Sequence, residues 1–331
     1  MTERPKILVT QKVPDAAYPL LEAIGDVERN EEEGVIWPYE ELLRRAPGHE
    51  YIFSLVTDTI DAHFLEACAA ATPRLKMVAN MAVGYNNIDV DTATRLGVAV
   101  SNTPGVLSDT TADLAFGLLL AVARRIPEAE RFLRAGKFHG WGPLLFCGTD
   151  VSHATLGIIG AGRIGTAMAR RAQGFEMTVL YYNRHRLSEE EEELYHLFYC
   201  SFDELLQQSD FVSIHAPYSS LTYHLIGERE LQMMKPTAYL INTARGPVVD
   251  EKALVRALQE GRIAGAGLDV FEHEPAVEPE LLQMENVVLL PHIASASLAT
   301  RTRMATMACD NIVAHHYGQY PPNILNPEVL R

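Results

Sequence analysis

Residues Gly160-Ala161-Gly162-Arg163-Ile164-Gly165 directly follow the apolar run Thr155-Leu156-Gly157-Ile158-Ile159, and a helical stretch and a second apolar run come next. A bare G-x-G-x-x-G is a weak signal, but between a strand and a helix it fits few folds. Gly160 permits the tight turn, Gly162 lets a pyrophosphate approach the backbone, and Gly165 lets helix pack on sheet. N–H groups at the helix start supply an anion site. The spacing therefore predicts a βαβ unit that holds a dinucleotide through Gly160, Gly162, Arg163, Ile164 and Gly165.

The same alternation runs through most of the chain. Residues 6–10, 51–56, 76–79 and 98–101 read as strands, with helical patterns near 19–24 and 62–70. Further strands are expected at 155–159, 178–182, 211–215, 238–242, 265–270 and 286–290, with helices between them, including 164–171 and 251–260. Strands alternating with helices predict an α/β protein with doubly wound parallel sheets. A length of 331 residues suits two domains. Residues 137–150 read as a loop or projecting arm, in which Trp141 is either a buried anchor or a contact toward a partner. The run Glu189–Glu193 after Ser188 reads as a capped, solvated helix start.

The end of the second strand of the βαβ unit bears on cofactor choice. An NAD site has an acid there, about 20 residues past the glycines, to bond the ribose 2′-OH. Here Tyr182 is followed by Asn183, Arg184, His185 and Arg186. A neutral Asn183 beside two guanidinium groups suits a 2′-phosphate, so NADP is expected to be preferred, with NAD as a second cofactor.

Net charge weighs against other partners. There are 28 basic and 43 acidic side chains, a balance of −15, which disfavours nucleic acid and anionic membrane as partners. The longest apolar run, 114–123, is about half of what a bilayer span needs. No signal-peptide core precedes residue 6, and Val329-Leu330-Arg331 is no peroxisomal tripeptide. Four scattered cysteines read as reduced thiols rather than staples or metal ligands, so a cytoplasmic location and no metal site are expected.

Three segments in the second half place ionisable groups just past predicted strand ends, where doubly wound folds bind ligands. They are Asn242-Thr243-Ala244-Arg245-Gly246, Asp269-Val270-Phe271-Glu272-His273-Glu274 and Pro291-His292. Alone, each has a bland reading: surface Arg, loop Glu, core His. Together Arg245, Glu274 and His292 can serve as carboxylate anchor, histidine partner and proton donor.

With these motifs the chain resembles the D-isomer-specific 2-hydroxyacid dehydrogenases over nearly its whole length. The likeness rests on the glycine fingerprint, Asn242–Asp250, Gly267–Phe271 and Pro291-His292. Within the family it is similar to the glyoxylate/hydroxypyruvate reductases, through residues 123–129 and 141–148. The resemblance implies a Rossmann cofactor domain (104–290) inserted in a smaller flavodoxin-like substrate domain (1–103 and 291–331). It implies Arg245, Glu274 and His292 as catalytic, and Val83 and Gly84 as backbone donors to the substrate carboxylate. Asp269 is implied at the nicotinamide carboxamide, and Leu107 and Thr111 near the nicotinamide end. The implied reaction is NADPH-dependent reduction of small 2-oxoacids such as glyoxylate and hydroxypyruvate to D-2-hydroxyacids, by a homodimer. Formate and phosphite dehydrogenases share the fold but carry Gln in place of Glu274 and Lys in place of Val83, respectively. Phosphoglycerate dehydrogenases usually keep an acid at the second-strand tip. Some relatives keep the triad yet act as dinucleotide-sensing corepressors. The missing acid and the lack of long tails weigh against that binding role here.

Overall fold

The parallel sheets follow from strands that are apolar on both faces. A computed structural model describes residues 4–330. It divides into two units, one reaching Leu107 and resuming at Ala296, the other Ser108–Ser295.

The first unit holds β1 (Lys6–Val9), β2 (Asp26–Arg29), β3 (Tyr51–Ser54), β4 (Met77–Asn80) and β5 (Ala99–Ser101). They pair in the order β2-β1-β3-β4-β5, all parallel, which is the flavodoxin-like arrangement.

The second unit holds β6 (Thr155–Ile159), β7 (Thr178–Tyr182), β8 (Leu197–Tyr199), β9 (Phe211–Ile214), β10 (Tyr239–Asn242), β11 (Gly265–Leu268) and β12 (Val287–Leu289). Their order is β12-β11-β10-β9-β6-β7-β8, again all parallel, and it reverses direction between β6 and β9. Alternate strand residues fill two separate cores. Val212, Ile214 and Leu240 pack with Leu205, Leu254 and Leu258. Phe211, Tyr239 and Ile241 pack with Leu118, Leu119 and Met168. Helices therefore cover both faces, as continuous apolar strands require.

Two strands lack a counterpart in the sequence reading. Both β2 and β8 are short sheet edges. In β2 exposed Asp26 and Glu28 alternate with half-buried Val27 and Arg29, so no apolar run marks it, and β8 is apolar but only three residues long, with Phe198 and Tyr199 exposed.

The units change at 107/108 and 295/296, a few residues after the expected 103/104 and 290/291. Asn102 and Thr103 stay with the first unit because their N–H groups donate to Asn323 O and Ala82 O. Residues 292–294 stay with the second because their backbone is bonded to Asp269.

Candidate active site

The glycine loop joins β6 to helix Arg163–Gln173, beside the reversal of strand order. Gly160 has φ +96°, and a Cβ there would lie 2.7 Å from Ala216 N, so only glycine fits. A Cβ at Gly165 would lie 2.4 Å from Gly160 O, so helix and loop touch. Gly162 is different: a Cβ there would meet nothing within 4 Å. Its bareness serves no internal packing and leaves the backbone at the helix start open. Arg163 is exposed beside it and Ile164 half-buried. This cradle fits a dinucleotide pyrophosphate.

The tip of β7 separates the two expected phosphate contacts. Arg186 makes a two-pronged pair with Glu192, Nε to Oε1 and Nη2 to Oε2, both at 2.7 Å. The buried Tyr181 hydroxyl donates to Glu192 Oε1 at 2.5 Å and accepts Leu187 N–H. Glu192 is therefore not part of a solvated run; its side chain is 12% exposed. The Arg186 hydrogen bond, with that of Tyr181, pulls its carboxyl down to about 2. This brace engages Arg186, whereas Arg184 is exposed with no such carboxylate partner among the described residues. Asn183 Oδ1 accepts Ala161 N–H at 2.7 Å, so it ties the strand tip to the glycine loop.

Past β10, β11 and β12 the three ionisable groups converge. His292 Nδ1 lies 2.9 Å from Glu274 Oε2, and Glu274 Oε1 accepts Phe271 N–H at 3.0 Å. A carboxylate at Nδ1 favours the proton there and leaves Nε2 as the working nitrogen. Burial pushes the Glu274 carboxyl up. The His292 hydrogen bond and charge, the Phe271 N–H and the Arg245 charge outweigh it and hold the group below its ordinary range. Burial lowers the Arg245 guanidinium, and the Glu274 charge acts against that.

Local folding fixes each group. Asn242 Nδ2 donates to Arg245 O and Asn242 Oδ1 accepts Ala244 N–H, both at 3.0 Å, which shapes the turn carrying Arg245. A Cβ at Gly246 would lie 1.8 Å from Phe271 O, so only glycine lets the Arg245 and Glu274 loops touch. His292 adopts φ +54°, an unfavourable left-handed backbone for a non-glycine residue. Asp269 holds it there. Its carbonyl accepts His292 N–H at 2.9 Å, and its carboxylate accepts Ile293 N–H and Ala294 N–H at 2.7 Å each. Asp269 is buried, and through these bonds it positions the His292 loop.

Leu107 and Thr111 are both buried, Thr111 in the first turn of helix Ser108–Ala123. Val83 and Gly84 lie in the loop after β4, half-buried. Trp141 is 83% exposed, which rules out the buried anchor. Sequence reasoning gave no role to Asn242, although it stands inside the Arg245 motif. It also missed His224, whose Nε2 lies 2.6 Å from Glu272 Oε1 two residues before Glu274. No sequence signal pairs residues 48 apart.

The profile described as D-isomer specific 2-hydroxyacid dehydrogenase, NAD binding domain, matches residues 116–294. The chain is 48% identical to the glyoxylate reductase of Thermococcus litoralis, over 99% of this chain and 98% of that protein. It is similar to the crystal structure of a glyoxylate reductase from Paecilomyes thermophila, with 34% identity, a TM-score of 0.87, and 99% and 100% of the two chains covered. It is also similar to an NADPH-dependent glyoxylate/hydroxypyruvate reductase from Sinorhizobium meliloti in complex with NADP and malonate. That match has 34% identity and a TM-score of 0.84, with 99% of each chain covered.

Proposed function

The chain belongs to the D-isomer-specific 2-hydroxyacid dehydrogenase family, and from that premise we propose that it reduces small 2-oxoacids, glyoxylate and hydroxypyruvate among them, to D-2-hydroxyacids with NADPH preferred over NADH. The observation that carries this reading is the His292–Glu274 pair beside Arg245, past the strand ends of a dinucleotide-binding sheet.

Gly160, Gly162, Arg163, Ile164 and Gly165 would hold the dinucleotide, which when bound supplies a hydride to C2 of the oxoacid. Arg245 binds the substrate and polarises its carbonyl, fixing its orientation. His292, protonated, gives the proton on Nε2 to the oxygen that becomes the hydroxyl. Glu274 keeps the imidazole oriented through its bond at Nδ1. Val83 and Gly84 donate backbone N–H groups to the carboxylate.

NADPH preference is supported by exposed Arg184, by a neutral Asn183, and by the NADP in the Sinorhizobium relative. Arg186 contributes by shaping the loop through Glu192 rather than by touching phosphate. A homodimer is supported by helix Ile126–Arg134, which buries no residue, and by exposed Leu133, Phe138, Trp141 and Leu144 next to it. No helix among the described residues is long and apolar enough to cross a membrane.

The test is initial rates with glyoxylate, hydroxypyruvate and pyruvate in the presence of NADPH. Turnover of glyoxylate or hydroxypyruvate to a D-configured or achiral hydroxyacid is expected. No turnover with any 2-oxoacid would leave a dinucleotide-sensing binding role instead.

A further inference from the structure

Three consecutive peptide groups after β4 have their carbonyls held from behind. Ala82 O accepts Thr103 N–H at 2.8 Å, Val83 O accepts an Asn102 Nδ2–H at 2.8 Å, and Gly84 O accepts an Asn80 Nδ2–H at 3.1 Å. None of these peptides is cis, and in a trans peptide the N–H points opposite to the C=O. Each bond therefore turns the next N–H, that of Val83, Gly84 or Tyr85, away from the group holding the carbonyl. Among the described residues these three N–H groups have no partner. Successive unpaired backbone donors make an anion-binding concavity.

The two asparagines are fixed. Asn80 is fully buried; its Oδ1 accepts the Ser54 hydroxyl at 3.3 Å and its Nδ2 also reaches Asn87 Oδ1 at 3.3 Å. Asn87 in turn donates to Leu55 O and Asp58 O, both at 3.0 Å. Asn102 is buried, and its own N–H is bonded to Asn323 O. A buried amide with matched donors and acceptor does not rotate cheaply.

We infer that Asn80 and Asn102 are positioning residues for the substrate carboxylate: by holding the carbonyls of Gly84 and Val83 they aim the N–H groups of Tyr85 and Gly84 at it, and Tyr85 N–H joins the grip. The inference rests on the oxoacid reading above. A carboxylate keeps its charge from substrate to transition state, so this grip is uniform binding, which KM carries and kcat does not.

The test uses the full chain with Asn102→Ala and Asn80→Ala. Glyoxylate is the substrate, and oxamate, which accepts no hydride, is the competing probe. In each variant KM for glyoxylate and Ki for oxamate rise together by roughly tenfold, the effect of one weakened bond to a charged group, while kcat and KM for NADPH stay within about threefold. A fall in kcat with unchanged Ki for oxamate overturns the inference, since that is the mark of a general structural defect. A second measurement needs no variant: oxamate added to the wild-type protein with NADPH shifts the amide NMR signals of Val83, Gly84 and Tyr85. Unmoved signals overturn the inference even if the variants do not fold. Failure of the wild-type protein to reduce glyoxylate sinks the functional reading instead, and the amide shifts still decide whether the loop binds a carboxylate.

Discussion

Two loops of this chain would offer backbone N–H groups to an anion under the proposed function, and they are built in opposite ways. Between β6 and its helix the backbone is bared by leaving side chains out. Gly162 faces open space, and Gly160 and Gly165 allow contacts no side chain would permit. After β4 the backbone is aimed by side chains put in, as Asn80 and Asn102 grip carbonyls and turn the following amides outward. Omission leaves glycines at fixed spacing. Gripping leaves only two asparagines that look like any others. The first loop should govern the dinucleotide, the second the oxoacid, and the His292 group the chemical step alone.

The largest effect should come from touching neither loop. His292→Ala removes the proton donor, so kcat should fall by roughly two to four orders of magnitude, while KM for NADPH hardly changes. A large change in NADPH binding, measured by fluorescence titration, would join His292 to the cofactor loop and break the separation.

That separation also sets what the sequence could reveal. The central strands were legible because both faces are buried, and the Arg245 and Glu274 segments because each follows such a strand; His292 follows the edge strand β12, legible through its apolar run Val287-Val288-Leu289-Leu290. Strands β2 and β8 were not, since β2 alternates charged with half-buried residues and β8 is only three residues long. Arg184 and Arg186 look equivalent in sequence, and only the fold brings Glu192 back onto Arg186. The loop-holding bonds of Asp269 and Asn102 were hidden for a similar reason. Their partners at 293–294 and 83 are distant in sequence, and an acid or an amide at a strand end fits many roles.

Gly162→Val strikes the first loop directly. Its φ of −89° and ψ of −159° suit a β-branched residue, and the open space beside it accepts the side chain. The melting temperature should therefore hold. KM for NADPH and for NADH should both rise on the order of a hundredfold, because the phosphate loses its closest backbone donors. Unaltered KM for glyoxylate keeps the two loops distinct.

Arg184→Ala and Arg186→Ala sharpen the comparison within the cofactor region. Losing a charge-assisted contact to the 2′-phosphate should raise KM for NADPH by about ten- to hundredfold in the Arg184 variant and leave KM for NADH unchanged. Because Arg186 is spent on Glu192, its removal should raise KM for NADPH by only about threefold, through loss of loop shape. Equal effects would restore the symmetric reading of the pair.

The smallest effect is one of pH. Glu274 is held below 4.5 in the folded chain, so the unfolded chain binds its proton first as pH falls. Its stabilising contribution is present above that ordinary value and is lost as pH falls through the lowered one. Melting curves in acid should therefore fall more steeply for the wild-type protein than for Glu274→Gln, and parallel curves would show that His292 does not stabilise the carboxylate.

The most direct measurement is kcat/KM for glyoxylate reduction by the wild-type protein, taken with NADPH and with NADH in the same buffer. An exposed Arg184 beside a neutral Asn183 predicts turnover with both cofactors and a preference for NADPH of about ten- to hundredfold at low salt, weakening as salt rises. A higher value with NADH would contradict the reading of the β7 tip, and no glyoxylate turnover with either cofactor would contradict the proposed oxoacid reductase itself.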